Sequence, residues 1–278
     1  MGNQTDIGWC DSTFNGHIGC TKKSEGCKNC YAKAQMEDRW HKVVWGPAGE
    51  RLRTSDFYWK QPARWNKLPF GECHVCHTRA VIKPDEFSKC PGCGNTQRST
   101  YTPSRRRVFA HSLSDLFENR PEIMPWRIDE FKLWVDTPNL DWIVLTKYIE
   151  NVEAMTHGHP FPANVALGVS AENQARFEER WDILSRLQVK VKFLSVEPML
   201  EYINLATVDL TGPTWVICGA ESGDDRRNFR EEWAIDLYNQ CKNFGIKFFM
   251  KQGSGKMSGM QGHIPDWLWK VKEFPVIG

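Results

Sequence analysis

At 278 residues, with 41% hydrophobic and 25% charged content, the chain has the composition of a globular protein of one large domain or two smaller ones, which excludes disordered and collagen-like classes. A formal net charge of +2 excludes a globally basic nucleic-acid binder, so contact with a polyanion would need local basic patches. Ten cysteines would suit a disulfide framework only in a short secreted domain, and seven of these fall into two compact groups with metal-ligand spacing, which argues for thiolate sites in a reducing compartment.

The first residues, MGNQTDIGWC, lack a basic stretch followed by an apolar one, and no run of about 18 apolar residues occurs. Asp6 stands where a myristoylation signal wants Ser or Thr. The expectation is a protein of the cytoplasm with no membrane partner. A first strand is expected near this end, followed by the loop Cys20-Thr-Lys-Lys-Ser-Glu-Gly-Cys27-Lys-Asn-Cys30-Tyr31, a C-x6-C-x2-C spacing. Three thiolates can hold three irons of a cubane and leave the fourth open to a small molecule, whereas a structural zinc site takes four protein ligands. Cys20, Cys27 and Cys30 are therefore read as ligands of a 4Fe-4S cluster whose open iron binds S-adenosylmethionine. Tyr31 to Trp40 contains good helix formers and no Gly or Pro, so Cys30 is expected to open a helix.

Residues 41–70, punctuated by Gly46-Pro47, Pro62 and Pro69, read as a long loop with one short helix near 62–67. Cys73-His-Val-Cys76 and Cys90-Pro-Gly-Cys93 follow, two CxxC knuckles with the spacing of a zinc ribbon whose metal replaces a core. His74 and His77 are spare. Residues 71–100 are accordingly expected to form an inserted zinc-ribbon module, leaving 1–70 and 101–278 as the main domain. Cys10, Cys218 and Cys241 read as small buried hydrophobes.

From residue 107 short apolar runs alternate with helical segments. The runs are 108–111, 142–145, 165–169, 191–196, 215–218 and 246–250, with helices expected at 121–136, 173–187 and 230–244, a weaker one at 148–160 and a short turn within 199–212. Alternation of this kind implies a parallel sheet, here a partial or complete (β/α) TIM-like barrel. Gly253 to Gly259 reads as a surface connection or a lid.

In such a barrel the reacting groups project from the carboxyl ends of the strands. Those ends carry His111-Ser112-Leu-Ser114-Asp115, Thr146-Lys147, Ser170-Ala-Glu172-Asn173, Ser195-Val-Glu197-Pro198, Gly219-Ala-Glu221 and Lys251-Gln252. Any one of them can be a helix cap, but together they form a polar rim around one cavity. The glutamates suit the amino, ribose and base groups of a nucleoside-like cofactor, and Lys147 and Lys251 suit carboxylates or phosphates.

The cluster loop with its following aromatic, the strand-end motifs Ser-Leu-Ser-Asp, Leu-Thr-Lys, Gly-Val-Ser-Ala-Glu-Asn, Leu-Ser-Val-Glu-Pro and Cys-Gly-Ala-Glu-Ser-Gly, and the run Phe-Phe-Met-Lys-Gln resemble a phage-associated family of radical SAM-like proteins. The likeness covers 5–40 and 105–278. Most radical SAM enzymes use C-x3-C-x2-C, and this chain has three extra residues in the first gap. The resemblance implies a barrel of radical SAM type and reductive cleavage of S-adenosylmethionine to a 5'-deoxyadenosyl radical, with electrons from a reductase or flavodoxin, in the host cytoplasm if the protein is phage-encoded. It implies Cys20, Cys27, Cys30, Lys147, Glu197 and Lys251 in catalysis. Cofactor binding would fall to Tyr31, Ser112, Ser114, Asp115, Ser170, Glu172, Asn173, Glu197 and Glu221.

Arg105-Arg-Arg107, Arg226-Arg227 and Arg230, with Trp45, Trp59 and Trp65 as stacking platforms, point to DNA or a nucleotide as substrate, and similar proteins suggest modification of a (hyper)modified pyrimidine. Two alternatives stand beside this. One is a non-catalytic nucleic-acid-binding protein with two zinc sites, the first completed by Cys10, His17 or His41. The other is radical chemistry on a metabolite or peptide.

Overall fold

The computed structural model describes residues 5–82, 90–94, 101–210 and 214–278. Seven strands form one parallel sheet in sequential order: β1 (Ser12–Phe14), β2 (Arg106–Ala110), β3 (Leu140–Thr146), β4 (Val165–Ser170), β5 (Val191–Val196), β6 (Thr214–Gly219) and β7 (Lys247–Gln252). Three long helices, α1 (Ile123–Asp136), α2 (Gln174–Arg186) and α3 (Glu231–Asn243), supply crossovers. Asn173 caps α2, its side chain accepting from the Arg176 N–H at 2.9 Å. Asn173→Ala is expected to cost about 1 kcal/mol, measured by urea denaturation.

Side chains alternate across the sheet with period two. Val108, Ala110, Trp142, Val144, Leu167, Val169, Leu194, Val196, Val216, Phe248 and Met250 belong to the larger core, which includes residues of the helices. Phe109, Ile143, Ala166, Phe193, Trp215, Ile217 and Phe249 turn to the other face, where they meet Trp9 and Ile277. Gly168 is required there, because a Cβ at its position would lie 2.4 Å from the Phe193 ring. That inner face is thus plugged by aromatic rings. At the carboxyl ends of the strands its character changes. Ser170, paired with Ser195, and Lys251, which has the parity of Phe249, stand above the plug.

This arrangement corrects the expected architecture. The sheet is an open half-barrel rather than a closed TIM barrel: β1 is bonded to β2, β7 to β6, and the two edges are not joined. A closed barrel of this type needs eight strands in a continuous ring. Here side chains from the two chain ends, Trp9, Phe274 and Ile277, pack against the exposed flank instead. The zinc ribbon is not established either. Phe70–Cys73 pairs antiparallel with Arg79–Val81 on one side and Tyr101–Pro103 on the other, and residues 83–89 and 95–100, which fall within the expected ribbon, lie outside the described residues.

Several local expectations also change. Tyr31 opens only one α-turn, Tyr31–Lys33, which continues as a π-helix over Ala34–Arg39. The expected 41–70 loop contains two short helices, Asp56–Trp59 and Gln61–Trp65, and Leu52–Arg53 pairs with His17–Ile18. The segment 148–160 yields a 3-10 turn at Ile149–Asn151 followed by Val152–Thr156, and 199–212 yields the 3-10 turn Leu205–Thr207. Among the described residues no helix is long and apolar enough to cross a membrane.

Candidate functional site

The cysteine loop lies across the carboxyl ends of the strands, and its attachments explain why it stays there. Glu172, fully buried after β4, accepts from the Ser24 hydroxyl and, at 3.4 Å, from the Gly26 N–H, while its other oxygen pairs with Arg180 at 2.8 Å. Glu221, after β6, accepts from the Asn29 amide at 2.9 Å and from Arg227 at 2.6 and 3.0 Å. Arg227 in turn donates to the Glu25 carbonyl at 2.8 Å. Tyr148, after β3, donates to the Thr21 carbonyl at 3.1 Å, and Tyr31 donates to the Ser112 carbonyl at 2.6 Å. Four strand ends therefore grip a segment that has almost no core of its own.

These contacts separate the expected site residues by role. Glu172, Glu221 and the Ser112 carbonyl brace the loop. Asp115 is buried and accepts from the Phe117 N–H, the Thr146 hydroxyl and the Lys147 N–H at 3.1, 2.7 and 2.8 Å, so it locks the ends of β2 and β3 together. The Ser114 hydroxyl is 2.7 Å from His111 and donates to the His17 carbonyl at 2.9 Å. Asn173 is the helix cap already described. Sequence reading had no means of separating braces from binders, since both are acidic or hydroxyl groups at strand ends.

A second set faces the mouth. Lys251 Nζ lies 3.2 Å from Glu197, whose remaining oxygen is buried without a hydrogen-bond partner among the described residues. The Ser170 hydroxyl is orphaned in the same way. Unpartnered buried polar atoms cost stability, so two of them on one rim mark a place shaped for a ligand. Tyr31 is 56% exposed, and the partial burial of its ring, then the nearby Cys30, push its phenol up. Burial opposes the Lys147 charge, but Cys27 and Glu172 outweigh it and hold the ammonium above its usual range.

Cys20, Cys27 and Cys30 are free thiols of intermediate burial. Burial first, then Asp115, Glu118 and Cys27, push the Cys20 thiol well up. Behind it Arg51 makes a buried two-pronged pair with Glu118 at 2.6 and 2.8 Å and reaches the Thr21 hydroxyl at 2.8 Å. Burial works against the Arg51 charge and the Glu118 pair outweighs it. Sequence reading missed Arg51 and Glu118, which lie in no motif and which only the fold brings to the loop, and it gave Ser24, within the loop, and Arg227, read as part of a basic cluster, no role in holding it.

The second cysteine group has the geometry to hold a metal ion. Cys73, Cys76, Cys90 and Cys93 bring their sulfurs within 4.8 Å of one another. Separations of 3.8 Å (Cys73 to Cys93) and 3.5 Å (Cys76 to Cys90) match the corners of a tetrahedron, which for a zinc–sulfur bond of about 2.3 Å lie about 3.8 Å apart. Each CxxC is followed by a residue of positive φ, His77 (59°) and Gly94 (75°), whose N–H returns to the first cysteine carbonyl at 2.8 Å. Gly92 is needed in the second turn, where a Cβ would strike the Thr78 hydroxyl at 2.0 Å. Hydrogen bonds from the Cys93 N–H and the Tyr101 hydroxyl pull the Cys90 thiol down to about 6, favouring the thiolate a metal requires. Zinc uptake by the purified protein is expected to be lost in Cys76→Ala, and that variant to open Phe70–Cys73 and Tyr101–Pro103 to protease while the seven-stranded sheet keeps its far-ultraviolet signal.

Of the remaining expectations, Cys10, Cys218 and Cys241 are buried, the last two fully. Trp65 is buried under the Arg106 guanidinium, Trp59 has Arg53 over its ring at 4.4 Å, and Trp45 packs on a small cluster with Met36. Arg105 pairs with Asp141 at 2.5 Å. The basic cluster 105–107 is therefore not a uniform exposed patch.

No curated protein and no solved structure matches the chain. A family model does match, over residues 4–265, and its description is "Protein of unknown function (DUF5131)". By that match, which spans nearly the whole chain and takes in both cysteine groups and every strand end described above, the protein belongs to the DUF5131 family.

Proposed function

We propose that this protein is a radical S-adenosylmethionine enzyme whose Cys20, Cys27 and Cys30 hold a 4Fe-4S cluster, with zinc at the four-cysteine site, and that it acts on a DNA base or a nucleotide, in line with its likeness to phage-associated radical SAM-like proteins. The observation that carries the reading is the loop itself: three free thiols, gripped from four strand ends at the mouth of a parallel half-barrel, without a fourth cysteine to complete a zinc site. The donor set fits a cubane with one open iron. The orphaned Ser170 and Glu197 oxygens offer acceptors for the amine and hydroxyl groups of a bound nucleoside.

When bound, the cluster and S-adenosylmethionine would supply a 5'-deoxyadenosyl radical; the protein's own residues position and shield. Glu172 and Glu221 fix the loop, Lys147 lies between Cys27 and Glu172, and Glu197 with Lys251 presents a charged pair to whatever fills the mouth. The aromatic plug below, Phe193, Trp215 and Phe249, closes the floor against water.

Anaerobic reconstitution with iron and sulfide, followed by metal analysis and incubation with S-adenosylmethionine, a reductant and candidate DNAs, tests this directly. Iron, sulfide and 5'-deoxyadenosine in the product are expected. Zinc filling both cysteine groups, without iron, would remove the radical reading and favour the non-catalytic alternative, and cofactor cleavage insensitive to DNA or nucleotide would move the substrate to a metabolite or peptide.

A further inference from the structure

A cavity of about 630 Å³ opens between the two unjoined sheet edges. Cys10 and Asp11 line it from the β1 side, Phe249 and Lys251 from β7, and Arg107, Lys272 and Phe274 complete its wall. Its charges are not balanced. Arg79 takes up Asp11 at 2.8 Å and Glu72 at 3.2 Å, which removes two of the cavity's three carboxylates, and Lys251 is engaged by Glu197. Two cations remain. The Arg107 guanidinium lies 3.4 Å over the Phe274 ring and has no hydrogen-bond or ion-pair partner among the described residues. Lys272 sits over Trp269 at 3.8 Å and Phe249 at 4.9 Å and donates only to the Met250 carbonyl.

Burial, and then the like charge of Arg79, push Arg107 down to about 10, and burial pushes Lys272 down to about 8. Burial is the first cause of both shifts, and both cations line the same cavity. A guanidinium held flat against a ring keeps its N–H edge directed outward, the geometry that grips a phosphate with two parallel bonds. The cavity is also larger than a phosphate requires, since sites for small organic ligands run from about 300 to 1,000 Å³. Trp269, half-buried on the same wall, is an aromatic surface on which a flat ring can stack.

We propose that the cleft between the sheet edges binds one nucleotide unit, with Arg107 and Lys272 facing its phosphate and the half-buried Trp269 beside its base. Lys251 ties the cleft to the mouth, because its ammonium lines the cavity while pairing with Glu197 on the rim. The proposal deepens the nucleotide-directed reading given above and takes its biological sense from it, but its geometry involves neither cluster nor cofactor.

Binding is therefore measured on full-length, zinc-loaded protein without iron or S-adenosylmethionine. Titration calorimetry with thymidine 5'-monophosphate, thymidine, inorganic phosphate and a short single-stranded oligothymidylate separates the contributions. The monophosphate is expected to bind about tenfold or more tighter than either thymidine or phosphate, and Arg107→Gln to weaken it about 10- to 100-fold, the range for a lost hydrogen bond to a charged group. Lys272→Met should weaken it in the same direction, and Arg107→Lys should recover part of the loss, in variants whose thermal melts match the parent. Tighter binding of the oligonucleotide with the same Arg107 dependence would place the nucleotide within a strand and support the site equally. Equal binding of thymidine and its monophosphate, phosphate binding as tightly as the nucleotide, no binding at all, or an unaffected Arg107→Gln variant would each overturn the proposal. Because iron is absent from the assay, such a result leaves the cluster assignment standing, just as loss of the cluster assignment leaves this one.

Discussion

Cys27→Ala is expected to reduce iron, sulfide and 5'-deoxyadenosine to background while leaving zinc content and thermal stability near those of the parent. The reasoning is stoichiometric. Three thiolates are the minimum set in this loop for a cubane with an open iron, and removing the middle one leaves two ligands that cannot hold it. Cys27 closes a 3-10 turn, Glu25–Cys27, and is half-buried, so its truncation removes little core. The four-cysteine site is separate from this loop: Cys73 ends a strand of the three-stranded sheet, and Cys76, Cys90 and Cys93 gather beside it. Parallel metal analysis and chromatography of the nucleoside product read the result. Undiminished iron or undiminished cofactor cleavage in this variant would sink the assignment of the loop.

Glu172→Ala is expected to be the most destabilising single change at the site, by about 3–5 kcal/mol, the cost of stranding a buried charge by removing its partner. Arg180 is nearly as buried as Glu172, with side-chain exposures of 4% and 0%. Its guanidinium would be left with the Ser170 carbonyl alone. Ser24 and Gly26 would lose their anchor at the same time, so the variant should also reconstitute with less iron, a coupling a purely structural carboxylate elsewhere would not show.

The same pair predicts an acid sensitivity. Burial raises the Glu172 carboxyl, but Arg180, Lys147 and Ser24 outweigh it and hold it below the usual range. A carboxyl whose folded value lies below its unfolded one contributes fully above the unfolded value, near about 4.3 for Glu, and loses that contribution as pH falls through the folded value. Urea midpoints recorded from neutral pH to about pH 3 should therefore fall less steeply for Glu172→Gln than for the parent. Identical slopes would mean that the pair adds nothing in the folded state.

The rim shows why strand ends could be found in the sequence while their roles could not. Short apolar runs such as 191–196 mark buried strands whichever way the sheet curls, and the polar residues closing each run stand out against them. Glu172 and Glu197 then look alike. In the structure one is fully buried against Arg180 and the cysteine loop, and the other keeps an unpartnered oxygen beside Lys251. Curvature and closure are likewise sums over the whole sheet, and here the aromatic side chains of the two chain ends occupy the flank where a closing strand would have lain.

By itself the sequence determined the parallel α/β layout, the two cysteine groups and the set of polar groups at the strand ends, because periodicity and ligand spacing are local properties of the chain. Tertiary structure alone decided that the sheet stays open, that Arg51, Glu118 and Arg227 stand behind the cysteine loop, and that Arg107 and Lys272 face one cavity across 165 residues of chain (272 − 107). These outcomes depend on distances between residues remote in sequence, and those distances are set by packing of the complete core.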